Sequence, residues 1–270
     1  MTAISFIGFG EVGQTFAKDL LKRNGVRIAA YDLKFDEPGG QDANKAIAQA
    51  MGVRAATSAS DASREARVVI SAVTAAATLQ VAREAAGYLA PGQLYLDVNS
   101  ASPRTKQMAA KVVESAGAKY VEGAVMAAVA GPGLKVPILA GGPSASFAAG
   151  LLNALGMSLT PLSTEHGRAS ATKLARSVVM KGLEAVLLES RAAARHWGVE
   201  SEVLASLRET YPGIDWAQLA DRCAERVAKH GLRRAQEMRE AGDMLNEMGR
   251  DPELCRAIAA FQERTARGGP

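Results

Sequence analysis

Gly8, Gly10 and Gly13 stand in Gly8-Phe9-Gly10-Glu11-Val12-Gly13, directly after the apolar run Ile4-Ser5-Phe6-Ile7, and Asp32 closes the next apolar run nineteen residues after the third glycine. This is the spacing of a dinucleotide site. The first glycine permits a tight turn, the second leaves no Cβ in the way of a pyrophosphate, and the third lets a helix pack closely on the strand. The N-terminus of that helix then faces the phosphates. The cofactor-binding set is therefore Gly8, Phe9, Gly10, Glu11, Val12, Gly13 and Asp32. A carboxylate at Asp32 accepts hydrogen bonds from ribose hydroxyls and repels a 2′-phosphate, so NAD is favoured, while Lys34 and Lys45 keep NADP open as the alternative.

Three further segments offer groups to stand beside a nicotinamide, because ligands of open α/β sheets sit outside the carboxyl ends of the strands. Ser71-Ala72-Val73-Thr74 ends one apolar run and places Val73 and Thr74 near the cofactor riboses. Asp97-Val98-Asn99-Ser100 ends the next, where the Asn99 amide and the Ser100 hydroxyl suit a nicotinamide carboxamide or a substrate hydroxyl. Gly167-Arg168-Ala169-Ser170-Ala171-Thr172-Lys173 opens a long helical pattern. Lys173 falls on the same side of that helix as the small Ala169 and Ser170.

Those residues need a parallel sheet to hold them. Short aliphatic runs at 3–7, 27–31, 67–73, 94–98, 120–125, 136–140 and 158–162 read as strands. Between them, Glu11–Arg23, Ala43–Met51, Ala77–Leu89, Pro103–Ala116 and Ser144–Leu155 read as helices. From about Glu165 the strand signal ends, and 167–197, 201–211, 216–229, 232–247 and 252–267 read as helices, the first running about 45 Å at 1.5 Å per residue. The expected fold is α/β: an N-terminal Rossmann-type, doubly wound, mostly parallel sheet over 1–164, followed by an all-helical C-terminal domain over 165–270 joined through the long helix.

The 270 residues suffice for two domains, and 48% hydrophobic with 22% charged residues is a globular composition. A net charge of +4, with bases and acids mixed along the helices, disfavours a nucleic-acid platform and suits a small anionic substrate. Pro137, Pro143 and Pro161 break the longest uncharged stretch, which argues against a membrane span. Cys223 and Cys255 lie far from any C-x-x-C and read as core residues, not as a disulfide or metal pair. With no leader-like segment before the first strand, a reducing cytoplasm is the expected compartment.

The whole chain resembles the β-hydroxyacid dehydrogenase superfamily, the group of 3-hydroxyisobutyrate and 6-phosphogluconate dehydrogenases. The resemblance rests on the glycine turn, on Asp97-Val98-Asn99-Ser100-Ala101-Ser102-Pro103, on Glu122-Gly123-Ala124-Val125, and on Gly167 with Lys173. His230-Gly231-Leu232-Arg233-Arg234-Ala235-Gln236-Glu237-Met238 is similar to a subgroup with a DUF1932-type C-terminal domain. The resemblance implies that Lys173 takes the hydroxyl proton of a small hydroxy acid while hydride leaves the same carbon for the nicotinamide, or the reverse with an oxo acid.

The departures from the superfamily pattern bear on the substrate. Met126-Ala127-Ala128 stands where the superfamily has a serine and two glycines for the substrate carboxylate, Ser177 where it has an asparagine, and Met180 where the phosphogluconate enzymes have a glutamate acid. Phosphogluconate is therefore disfavoured. Arg176, Lys181, His230 and Arg234, with Arg233 and Glu237 beside them, are the groups expected to complete the pocket, although Arg233-Arg234 with Glu237 also suits a solvated helix face. The alternative functions are an imine reductase of the same architecture, which typically lacks the lysine, and a cofactor-binding protein without turnover. The apolar faces of the C-terminal helices imply a homodimer, and by resemblance the partner can complete each site.

Overall fold

The computed structural model describes residues 2–36 and 43–268. They divide into two compact units, Met1–Lys173 and Leu174–Pro270. The sequence reading set the border at 164/165, before the long helix begins.

The first unit is an eight-stranded sheet: β1 (Thr2–Ile7), β2 (Val26–Tyr31), β3 (Arg54–Ala55), β4 (Val68–Ser71), β5 (Leu94–Asp97), β6 (Lys119–Val125), β7 (Pro137–Gly141) and β8 (Ser158–Ser163). Their order across the sheet is β3-β2-β1-β4-β5-β6-β7-β8. Every neighbouring pair is parallel except β6 with β7. The chain winds outward in both directions from β1, so the crevice between the ends of β1 and β4 is the topological switch point. Helices α1 (Glu11–Leu20), α2 (Ala43–Ala50), α3 (Ala59–Ser63), α4 (Thr78–Ala86), α5 (Pro103–Ser115) and α6 (Ala145–Asn153) make the connections.

The central strands are apolar without alternation because both faces of the sheet are covered. Val68 and Ile70 of β4 join a core with Phe16 and Leu20 of α1 and Leu152 of α6. Val69 between them faces the other way, into a core with Ala82 and Ala85 of α4, Val113 of α5, Tyr95 and Tyr120. Two elements escaped the sequence reading, β3 and α3. Both are short, and α3 is announced only by Ser58, whose hydroxyl accepts from the Asp61 N–H at 3.0 Å. The strand expected over 67–73 stops at Ser71. Ala72 makes one more ladder bond to Ile7 O at 2.8 Å, after which the Val73 N–H turns to a side-chain acceptor.

Helix α7 (Arg168–His196) spans the border between the units. The second unit continues with α8 (Glu200–Thr210), α9 (Trp216–Glu247) and α10 (Glu253–Ala266). Its core includes Leu187, Trp216, Ala220 and Cys223. Residues 216–247 form one helix where the sequence reading had two, split at His230-Gly231. Gly231 does not break α9 because it serves a close crossing: a Cβ there would run into Gln262 O and lie 2.6 Å from the Ala266 Cβ of α10. Cys223 and Cys255 are both buried and free, and burial pushes both thiols up. Among the described residues, no helix is long and apolar enough to cross a membrane.

Candidate functional site

The turn after β1 packs closely on the loop after β4. Gly8 has φ +89°, and a Cβ on it would strike the Ala72 carbonyl; a Cβ on Gly13 would lie 2.8 Å from Gly8 O. Gly10 is different, since a Cβ there meets nothing within 4 Å. It is also the N-cap of α1 and brings no side chain to cap the first-turn amides. Asp32 braces the turn: Oδ2 accepts from the Phe9 N–H at 2.6 Å and Oδ1 from the Lys34 N–H at 3.0 Å. Gln14, which sequence reasoning passed over, donates through Nε2 to Phe9 O and to Asn44 Oδ1, both at 2.9 Å. An uncapped helix end, space above Gly10 and a half-buried carboxylate one strand away fit a dinucleotide.

The ends of β4 and β5 are locked to each other. Asn99 accepts through Oδ1 from the Val73 N–H at 2.6 Å and donates through Nδ2 to Ser71 Oγ at 3.0 Å. Its own N–H donates to Asp97 Oδ1 at 2.9 Å. The sequence reading offers the Asn99 amide to a ligand; in the structure the same amide braces the β4 loop. The hydroxyl left over is that of Ser100, whose Oγ is buried with no hydrogen-bond partner. Such orphans are rare enough to mark a place where a ligand or water completes the pairing. Thr74, the residue after Val73, is exposed.

Asp97 was not foreseen as part of this assembly. It is fully buried and pairs with Lys106 Nζ of α5 at 2.6 Å, while Tyr120 donates to its Oδ2 at 2.7 Å. Burial and the Asp97 charge push the Tyr120 phenol well above its ordinary value, so it stays a donor. Its stacked neighbour Tyr95, 5.9 Å away, is raised for the same reasons. A lysine at a helix position facing the sheet and an aspartate ending an apolar strand were the available signals.

The middle of β6 meets the start of α7 through Glu122. Its Oε1 accepts from the Ala169 N–H and its Oε2 from Ser170 Oγ, each at 2.9 Å. Glu122 is 0% exposed. Gly141, its cross-strand partner on β7, leaves the space it fills: a Cβ there would lie 2.9 Å from Glu122 Cγ. Beyond β6, the Met126 N–H is engaged by Pro137 O at 2.9 Å, whereas Ala127 and Ala128 are exposed. Met126, which with Ala127 and Ala128 stands where the superfamily holds the substrate carboxylate, therefore does not offer its N–H to an anion. Lys173 is half-buried, one turn along α7 from Ala169 and Ser170.

Residues 3–162 match the family described as the NAD binding domain of 6-phosphogluconate dehydrogenase. The chain belongs to that family. Residues 194–265 match a second family, the domain of unknown function DUF1932. The fold and the whole length are shared with a conserved hypothetical protein from Sinorhizobium meliloti, 41% identical, with 99% of this chain and 89% of that one covered and a TM-score of 0.83. A conserved protein of unknown function with structural similarity to 3-hydroxyacid dehydrogenases is 34% identical over 98% of each chain, TM-score 0.79. The 3-hydroxyisobutyrate dehydrogenase of Mycobacterium tuberculosis, solved with L-serine, shares the fold at TM-score 0.80 and 19% identity, with 99% of this chain and 94% of that one covered.

The helical unit of this dehydrogenase-family protein corrects several expectations for the substrate cations. Lys181 is buried, bonded to Glu237 Oε2 at 2.7 Å and to Ser177 Oγ at 3.1 Å. Burial pulls the Lys181 ammonium below its ordinary value and Glu237 opposes the shift. Ser177, expected to replace the family's asparagine, is thus buried against a lysine of its own helix. Arg233 bonds the other oxygen of Glu237 at 2.9 Å, as the helix-face reading anticipated. Arg234 pairs with the buried Glu184, which also accepts from Gln262 at 3.2 Å. Neither Lys181 nor Arg234 is therefore an open anion site. Arg176 is exposed and His230 half-buried.

Proposed function

We propose that this protein is an NAD-dependent oxidoreductase that interconverts a small hydroxy acid and its oxo acid, with Lys173 as the general acid and base. The observation that carries the reading is a convergence within one compact unit. The uncapped Gly10 turn, the Asp32 brace, the orphaned Ser100 hydroxyl and the exposed residues Ala127 and Ala128 all follow carboxyl ends of parallel strands. When bound, the nicotinamide accepts or supplies the hydride. Ser100 Oγ donates a hydrogen bond to the substrate oxygen, and the amides of Ala127 and Ala128 hold the carboxylate. Lys173 Nζ takes the proton of the hydroxyl on oxidation and returns it to the carbonyl oxygen on reduction. Lys173 also favours alcohol over imine chemistry. Asp32, with both oxygens directed by backbone N–H groups, favours NAD over NADP.

Calorimetric titration with NADH and NADPH tests the cofactor, and oxidation of a panel of hydroxy acids tests the reaction. Tighter NADH binding, with turnover that Lys173→Ala abolishes, is the expected result. Failure to bind either nucleotide overturns the reading, and turnover of cyclic imines alone replaces it with the reductase.

The same reading includes a homodimer in a reducing cytoplasm. Val179, Leu183 and Val186 lie on one side of α7 and are 68%, 37% and 67% exposed. Two copies of this stripe laid antiparallel about a two-fold between Gly182 and Leu183 set Val179 against Val186 and Arg176 against Glu189. Light scattering at micromolar concentration is expected to give twice the chain mass, and Val179→Asp with Val186→Asp to give the monomer. A monomeric wild type removes this part of the proposal.

A further inference from the structure

Glu122 is fully buried and, among the described residues, has no ion-pair partner; its two oxygens are taken up by the Ala169 N–H and the Ser170 hydroxyl. Burying a carboxyl group without a cation is costly unless its hydrogen bonds are complete. A helix start usually solves its capping problem with its own Ser, Thr, Asp or Asn. Here the residue before α7 is Gly167, with φ +93° and no side chain, and the cap comes from β6, 47 residues earlier. The difference has a mechanical meaning. A local cap travels with its helix, whereas a cap rooted in a central strand fixes the helix start to the sheet.

We infer that Glu122 is a positioning residue for Lys173, tying the helix turn that carries the lysine to the strand that leads into Ala127 and Ala128. Lys173 is three residues beyond Ser170 and four beyond Ala169, on the same side of α7 and one turn along. Val125, three residues beyond Glu122, ends β6, and the exposed Ala127 and Ala128 follow. One side chain therefore sets the spacing between the group proposed to move the proton and the amides proposed to hold the carboxylate. Gly141 belongs to the device, because any larger residue there displaces the Glu122 side chain. Glutamate is matched to the reach, and glutamine preserves it: its Oε1 accepts from Ala169 N–H while its Nε2 donates to Ser170 Oγ. The catalytic meaning rests on the function proposed above; the placement of α7 by Glu122 does not.

The test uses the full chain as Glu122→Ala, Glu122→Gln, Ser170→Ala and Gly141→Ala. Each is read by thermal unfolding, NADH affinity, amide hydrogen exchange over 168–173, the pH profile of Lys173 acetylation, and kcat and KM. In Glu122→Ala, exchange at the Ala169 amide is expected to rise about tenfold, the size of one lost hydrogen bond. The acetylation profile shifts and kcat falls at least tenfold with KM changed far less, while NADH affinity stays within about twofold. Glu122→Gln restores these readouts, and Gly141→Ala reproduces the loss. Should Glu122→Ala fail to fold, Ser170→Ala, which removes one of the two bonds, shows the same changes at smaller size.

Unchanged exchange and unchanged lysine reactivity in a folded Glu122→Ala chain overturn the proposal. So does a Glu122→Gln chain as damaged as the alanine variant. If the wild type turns over no hydroxy acid, the functional reading fails, while exchange and acetylation still decide the role of Glu122.

Discussion

The sheet and the buried charges of the helical unit make opposite uses of polar side chains. On the strands and just past their carboxyl ends, Asp32, Asn99 and Glu122 all grip backbone N–H groups of a neighbouring loop or helix, while the Ser100 hydroxyl is buried without a partner and the Gly10 helix end has no capping side chain. In the helical unit, charge meets charge across helices: Lys181 with Glu237, Arg234 with Glu184. The first arrangement fixes a backbone and leaves groups beside it without partners; the second neutralises the protein's own charges. A cluster of cations in a sequence is therefore a poor guide to an anion site. A polar group without a partner, beside others already engaged, is the better one.

The contrast is broken most severely by removing the proposed proton carrier. Lys173→Ala is expected to lower turnover by about a thousandfold while leaving NADH affinity intact, measured by steady-state kinetics beside calorimetry. Equal turnover in that variant dissolves the chemical meaning of the strand ends. On the other side, Glu237→Ala leaves Lys181 buried without its main partner and should cost about 3–5 kcal/mol by denaturant unfolding. The double replacement Lys181→Met with Glu237→Leu should recover most of that loss, and NADH affinity should follow neither change. An effect of either on hydroxy-acid KM alone, with stability unchanged, would place the pair among substrate groups after all.

Gly10→Ala sharpens the contrast within the sheet unit itself. Its Cβ meets no protein atom within 4 Å, so stability should hold while NADH affinity falls roughly tenfold, because the proposed cofactor site puts the phosphates in that space. Asp19 sets the scale of an ordinary surface tie. The Lys22 ammonium and the Leu134 N–H hold its carboxyl below the usual range. A depressed folded value means the contribution is complete above the unfolded value of 3.8 and disappears as pH falls through the folded one. Asp19→Ala should thus cost about 1 kcal/mol at pH 7 and converge with the wild type in acid, seen by urea unfolding at the two pH values.

How much was legible in the sequence varies with the range of the interaction. The run from Ile4 to Gly13 and Asp32 reports a strand, a turn and a helix from neighbours alone, and the structure reproduces each. The alternation of strands and helices was equally plain, since parallel strands covered on both faces leave uninterrupted apolar runs. Gly231 was misread as a break because a glycine that lets α10 approach and a glycine that ends a helix look identical in one chain. The brace that Asn99 supplies was not visible because the Val73 N–H it serves is 26 residues away.

What the sequence alone determined is the dinucleotide turn, the order of strands and helices and the all-helical second half, because these follow from residue spacing within a turn or a strand. Tertiary structure decided which polar groups are already engaged. Lys181 and Arg234 became neutralised partners and Glu122 became the anchor of α7, since a hydrogen bond or ion pair between distant residues depends on where the chain returns and leaves no local pattern to read.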